Sequence, residues 1–204
     1  MISMHKIILF GEDYGHETVL KALISRLADN YNLRINITTR SAQGGAGRVL
    51  SEVEEFLKDV DVGIECLPDL LVVAIDANCI GMNKKIAEIE QKIPASLDQM
   101  VICAVPDPHI ERWVLLDSHA FKNVLGVGCE APKFKCERGR YKLLLSNAVR
   151  QAGIKPLLGG LEFAEDIIKE MDLKLAQRKD KSIKRTISEI ERFLKRWIAD
   201  KGAG

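Results

Sequence analysis

Apolar positions along the chain fall into two recurring patterns. The first is the short, nearly continuous run: "KIILFGED" from Lys6 to Asp13, "LRINITTRS" with Leu33, Ile35 and Ile37 alternating, "LLVVAI" from Leu70 to Ile75, and "QMVICAVP" closed by Pro106. The second is helical spacing: Val19, Leu20, Leu23, Ile24 and Leu27; Val49, Leu50, Val53 and Leu57; Ile86, Ile89 and Ile93; then Ile110, Trp113, Val114 and Phe121 in one pattern across "HIERWVLLDSHAFKNVL". Unbroken aliphatic runs bounded by glycine, proline or acids read as strands covered on both faces, and apolar residues three and four apart read as amphipathic helices. Their alternation predicts an α/β fold of Rossmannoid type, with a mostly parallel central sheet and helices on both faces.

After Gly128 the pattern changes. "CEAPKFKCERGRYK" reads as a basic loop, "YKLLLSNAVRQAG" as a helix, and "KPLLGGLEFAEDIIKEM" as a turn leading into another helix. The tail from Lys174 to Trp197 carries one apolar stripe, Ile183, Ile187, Ile190, Leu194 and Trp197, among lysines and arginines. The expected organisation is an α/β domain over residues 1–160 and a C-terminal helical extension over 161–204. The stripe is expected to pack on the domain or on a second copy, which makes a homodimer plausible.

Composition narrows the class. The 204 residues are 47% hydrophobic and 29% charged with a formal charge of +1, a globular balance with no overall field to select nucleic acid or membrane. No apolar run approaches the ~20 residues of a membrane span. The five cysteines are scattered and no secretory leader precedes them, which predicts reduced thiols in a cytoplasmic protein. Cys129 and Cys136 lack the partners of a zinc site.

The candidate chemistry lies at the strand ends. Glu12 follows the first strand, Asp76 and Asn78 follow the third, and Glu111 follows the fourth. In a parallel sheet these ends share one edge, so the three acids are expected to converge. Crowded carboxylates repel one another unless a cation neutralises them, which points to a hard divalent ion, Mg²⁺ or Mn²⁺. The competing reading is that each acid caps the next helix or meets solvent.

The segments "ILFGEDYGHETVLKALI", "LLVVAIDAN" and "VPDPHIERWVLLD" together resemble the Toprim fold, and most closely small Toprim-like domains related to the OLD-family nucleases. The likeness spans roughly Lys6 to Lys142. It implies metal-dependent cleavage of phosphodiesters in DNA or RNA, with Glu12, Glu17, Asp76, Asn78 and Glu111 around one or two ions. Glu12 would be a ligand or accept a proton from water, and Lys142 or Arg140 would be a cation near the leaving group. It also implies a role in anti-phage defence beside an ATPase partner. Two positions depart from the family pattern: Asn78 replaces the second acid of D-x-D, and the glycine of the first motif precedes its glutamate.

His16 and His109 are read as polar rim residues and Trp113 as a core anchor. "SAQGGAGR" lacks the residues of a phosphate-binding P-loop but is placed over the acidic edge, where Arg40 and Arg48 would meet a nucleic-acid backbone. Two other functions are consistent with the strand-end acids: a receiver-like signalling domain phosphorylated on Asp76, with Lys155 as its lysine, and a degenerate interaction module in which Asn78 marks lost catalysis.

Overall fold

The structure, a computed structural model, describes residues 4–41 and 44–202. Strand β1 (Met4–Gly11) runs into helix α1 (Tyr14–Asn30), followed by β2 (Arg34–Ser41), α2 (Ala46–Asp61), β3 (Leu70–Ala74), α3 (Met82–Glu90) and, after a 3-10 turn, β4 (Val101–Ala104). Helices α4 (Ile110–Val114), α5 (Ser118–Leu125), α6 (Arg140–Gln151), α7 (Ala164–Glu170), α8 (Leu173–Lys179) and α9 (Lys181–Gly202) complete the chain. The fold is α/β, with an all-parallel sheet of four strands in the order β2-β1-β3-β4.

The period-2 geometry of the strands sorts the core into two halves. Ile7, Leu9, Leu70, Val72, Ala74, Ile102 and Ala104 face a large cluster containing α1, α4, α5, α7 and α9. Phe10, Leu71, Val73 and Cys103 face a smaller cluster under α2 and α3. The chain steps from β1 outward to β2, then back across β1 to β3 and β4. With right-handed crossovers, that reversal places α1 on one face and α2 and α3 on the other.

The expected helix over 109–125 divides at Leu115–Asp117. Asp117 caps α5 by accepting from the N–H groups of His119 (2.9 Å) and Ala120 (3.3 Å), while its other oxygen takes the Asp172 N–H at 2.8 Å. The C-terminal tail divides similarly at Asp180, whose Oδ1 caps α9 through Ile183 N–H at 2.9 Å. Asp180 also forms a buried ion pair with Arg112, and Ser182 Oγ accepts from the Trp113 indole N–H at 2.9 Å. The region beyond residue 160 thus shares the main core: Ile183, Ile187, Ile190, Leu194 and Trp197 are all buried in it. That stripe is consumed within the chain and no longer argues for a second copy. Arg185 also reaches the Cys103 carbonyl at 2.8 Å, so α9 covers the β4 flank of the sheet.

Two expectations are refined. Cys79 and Cys136 form a disulfide, so the five cysteines are not all reduced; Cys66, Cys103 and Cys129 are free. Among the described residues, no helix is long and apolar enough to cross a membrane.

If α9 is part of the core, Ile187→Ala should cost about 2–5 kcal/mol by cavity formation, with one cooperative unfolding transition. Denaturant titration measures this; a loss below about 0.5 kcal/mol, the size usual at a surface site, would mean that the helix is only loosely attached.

Candidate metal centre at the C-terminal edge of the sheet

The reversal of direction lies between β1 and β3, the place where open α/β sheets form a ligand crevice. Glu12 and Asp13 leave β1 there, and Asp76 leaves β3. Pairing between β3 and β4 continues past their ends: Ile75 N–H bonds to Ala104 O (3.2 Å), Ala77 N–H to Pro106 O (2.8 Å) and Asn78 N–H to Pro108 O (3.1 Å). This extra pairing holds the Asp76 and His109 segments side by side.

Local sequence then places each side chain. Asp13 is the N-cap of α1, with Oδ1 accepting from Gly15 N–H at 2.9 Å and His16 N–H at 3.2 Å. A residue three after the cap folds back over the helix start, so His16 Nδ1 meets the same Asp13 oxygen at 2.9 Å while Nε2 meets Asp76 Oδ1 at 3.0 Å. Asp76 Oδ1 also accepts Ile110 N–H at 2.9 Å, and its Oδ2 lies 3.0 Å from His109 Nδ1. The Asp76 N–H donates to Glu12 Oε2 at 3.1 Å. Gly15 permits this packing: a Cβ there would stand 2.7 Å from Leu161 Cδ1 and 3.3 Å from Ile110 Cγ2.

The electrostatics follow from this chain of contacts. Burial works against charge on His16, but Asp76 and Asp13 outweigh it and push the imidazole up to about 10. Burial likewise opposes ionisation of Asp13, yet its bonds to His16 bring it down to about 2. Asp76 is also held below the usual range, because His16 and His109 overcome its desolvation. Hydrogen bonding to Asp76 raises His109. Glu12 and Glu111 go the other way, both raised chiefly by burial, with Asp76 and Asp13 adding repulsion.

One oxygen each from Glu12 and Asp76 and one nitrogen from His16 lie within 4.8 Å of one another, a group that could hold a metal ion. Two carboxylates and an imidazole suit a divalent ion of borderline softness. Of the other expected ligands, Glu111 is buried close enough to interact with Asp76 and Asp13 but is outside this group. Asn78 is exposed, its amide 3.5 Å from the Asp76 carbonyl. Glu17 faces a separate groove with Tyr14, Lys21 and Lys169.

The expected basic residues are engaged elsewhere. Arg40 binds Glu65 at 2.6 Å and lies over the Phe56 ring, Arg48 binds Glu52 at 3.0 Å, and Arg140 lies 3.5 Å from Glu137. Lys142 is exposed on α6, beside Gly159. The glycine-rich loop does reach the acidic edge, since a Cβ on Gly45 would lie 3.7 Å from Glu12 Oε1; Ala42 and Gln43 are outside the described residues.

His16 corrects the rim assignment most clearly: it is 1% exposed and central to the site. The signal was present in Asp13-x-x-His16, a cap followed by a residue at the position that turns back toward it. His109 is also drawn in, through Asp76. Trp113 is a buried core residue, as expected. Comparison with family models, with curated proteins and with solved structures gives no match.

The two extreme shifts set a pH window. His16 is raised from 6.5 to about 10, so its stabilisation is complete below pH 6.5 and lost as pH rises through 10. Asp13 is lowered from 3.8 to about 2, so its contribution is present above pH 3.8 and lost as pH falls through 2. Denaturant unfolding should therefore show stability falling between about pH 7 and about pH 10, with a shallower fall in His16→Asn. Equal slopes for the two proteins would show that His16 does not carry the alkaline loss.

Proposed function

We propose that the chain is a Toprim-like, divalent-metal-dependent phosphodiesterase acting on DNA or RNA. The observation that carries this reading is the convergence of Glu12, His16 and Asp76 at the reversal point of a parallel sheet. Glu12 and Asp76 would supply carboxylate oxygens, and His16 Nε2 would supply a nitrogen on giving up its proton and its bond to Asp76 to the incoming ion. The imidazole in this set favours Mn²⁺ over Mg²⁺, which binds best among oxygens alone. A divalent ion there supplies Lewis acidity toward a phosphate oxygen and lowers the pKa of water.

The protein's own groups have separate tasks. His109 and the Ile110 N–H fix the direction of the Asp76 oxygens, joined by His16 while the ion is absent. Glu111, raised by burial, lies beside the group as a further carboxyl, and Asn78 presents a neutral amide at the outer rim. Lys142 and the arginines would contact the nucleic-acid backbone only by leaving their present positions or partners. The reading extends to cytoplasmic action beside an ATPase in anti-phage defence, supported by the sequence resemblance alone.

The receiver-like alternative shares the sheet topology. It gains less from the site, because Lys155, which it would need beside Asp76, is exposed in the loop after α6.

Plasmid, single-stranded DNA and transfer RNA should be cut with Mn²⁺ and left intact with chelator. Asp76→Asn and Glu12→Gln should lower both Mn²⁺ affinity and cleavage by at least ~10–100-fold, with thermal melting used to confirm folding. Undiminished cleavage by both variants, or no Mn²⁺ uptake by calorimetry, would overturn the proposal.

A further inference from the structure

The turn after Asp76 has an unusual backbone. Asn78 and Cys79 both take positive φ, 45° and 69°, a region that residues other than glycine seldom enter. Ile80 N–H closes the turn on Ala77 O at 3.0 Å, and Cys79 is left exposed three residues beyond the carboxylate at the centre of the site. Its partner, Cys136, is also exposed and lies in residues 127–139, which have no regular structure between α5 and α6. The Cα atoms of the pair are 5.5 Å apart, within the usual span of a disulfide.

Cys129 anchors the start of this stretch in the main core, its Sγ 3.8 Å from the Leu115 carbonyl, and the contacts beyond it, over residues 130–139, lie near the surface. The Tyr141 hydroxyl accepts Lys135 N–H at 2.8 Å and donates to Lys135 O at 3.0 Å, and the Phe134 ring lies 5.6 Å from the Arg112 guanidinium. The bond to Cys79 joins the stretch to the Asp76 turn across 57 residues of sequence. A cross-link over so long a loop removes much of the freedom its segments would otherwise have. The remaining cysteines cannot substitute. Cys103 and Cys129 are buried, with their thiols pushed up to about 12 and about 11, and Cys66 is exposed but free.

We propose that Cys79–Cys136 is a redox-cleavable tether that fastens residues 130–139 to the turn beside Asp76, and that a dithiol opens it. One thiolate of the dithiol attacks a sulfur of the pair, the S–S bond breaks, and a mixed disulfide forms. The second thiol of the dithiol then displaces it. Two electrons pass to the cysteine pair, two protons end on the Cys79 and Cys136 thiols, and the reductant leaves as its own disulfide. Both cysteines are exposed residues, which places the bond where a dithiol can reach it. The opened form frees the loop from the rim while leaving Glu12, His16 and Asp76 in place.

The test uses the full chain with dithiothreitol as the dithiol, and its readouts do not involve cleavage or metal, so it stands or falls separately from the phosphodiesterase reading. Non-reducing peptide mapping of the air-oxidised protein should give a Cys79–Cys136 cross-linked peptide, with Cys66 alone alkylated readily. Reduction should make both cysteines alkylatable and speed hydrogen exchange in residues 77–81 and 130–139 by at least ~10-fold. Reoxidation should restore the slow exchange. Cys79→Ser and Cys136→Ser, both at exposed positions, should exchange quickly with or without dithiothreitol. Absence of the cross-linked peptide, exchange unchanged by reduction, or serine variants as protected as the oxidised protein would each overturn the proposal.

Discussion

The Asp76 carboxylate is the constraint on which the rest of the site depends. It stands at the end of an inner strand and receives donors from three directions: the first turn of α1, the residue preceding α4, and the first N–H of α4 itself. A carboxylate removed from water is unfavourable unless its oxygens are satisfied, and here the fold satisfies them with groups far apart in sequence. The cost of burying the charge is thereby converted into positional accuracy, because a slip of α1 or α4 would leave an ion unpaired in the interior.

That arrangement assigns different duties to neighbouring acids. Asp13 behaves as the ordinary reading of a strand-end acid predicts, capping a helix, and thereby turns His16 inward. Glu12, one residue earlier, accepts one hydrogen bond among the described residues, from the Asp76 N–H, leaving oxygen capacity for a ligand. The rival expectations for acids after strands, capping and chemistry, are both met by adjacent residues.

Much of the fold was legible because its strands are buried on both faces. Leu70 to Ala74 could be little else, and the helical stripes of α1, α2 and α3 follow from spacing alone. The divisions at Asp117 and Asp180 were not legible from apolar periodicity, since the stripe continues across each of them. They depend on which distant N–H or guanidinium each carboxylate meets. The acidic edge was foreseeable from parallel topology, which brings Glu12, Asp76 and Glu111 to the same side. His16 was overlooked because its second partner, Asp76, is sixty residues away. Arg40, Arg48 and Arg140 resisted prediction for a related reason: a basic residue in sequence does not reveal which glutamate will neutralise it.

The placement of α9 has a consequence for how the sheet meets its neighbours. A strand at the border of a sheet offers unpaired backbone groups that invite association with other chains. Along β4 the Arg185 guanidinium takes one such carbonyl and the helix screens that flank. Along β2 the border is formed by a strand carrying Arg34, Asn36, Thr38 and Arg40. One side is shielded by an overlying helix and the other by polar side chains, so the same molecule uses two different means of discouraging edgewise aggregation.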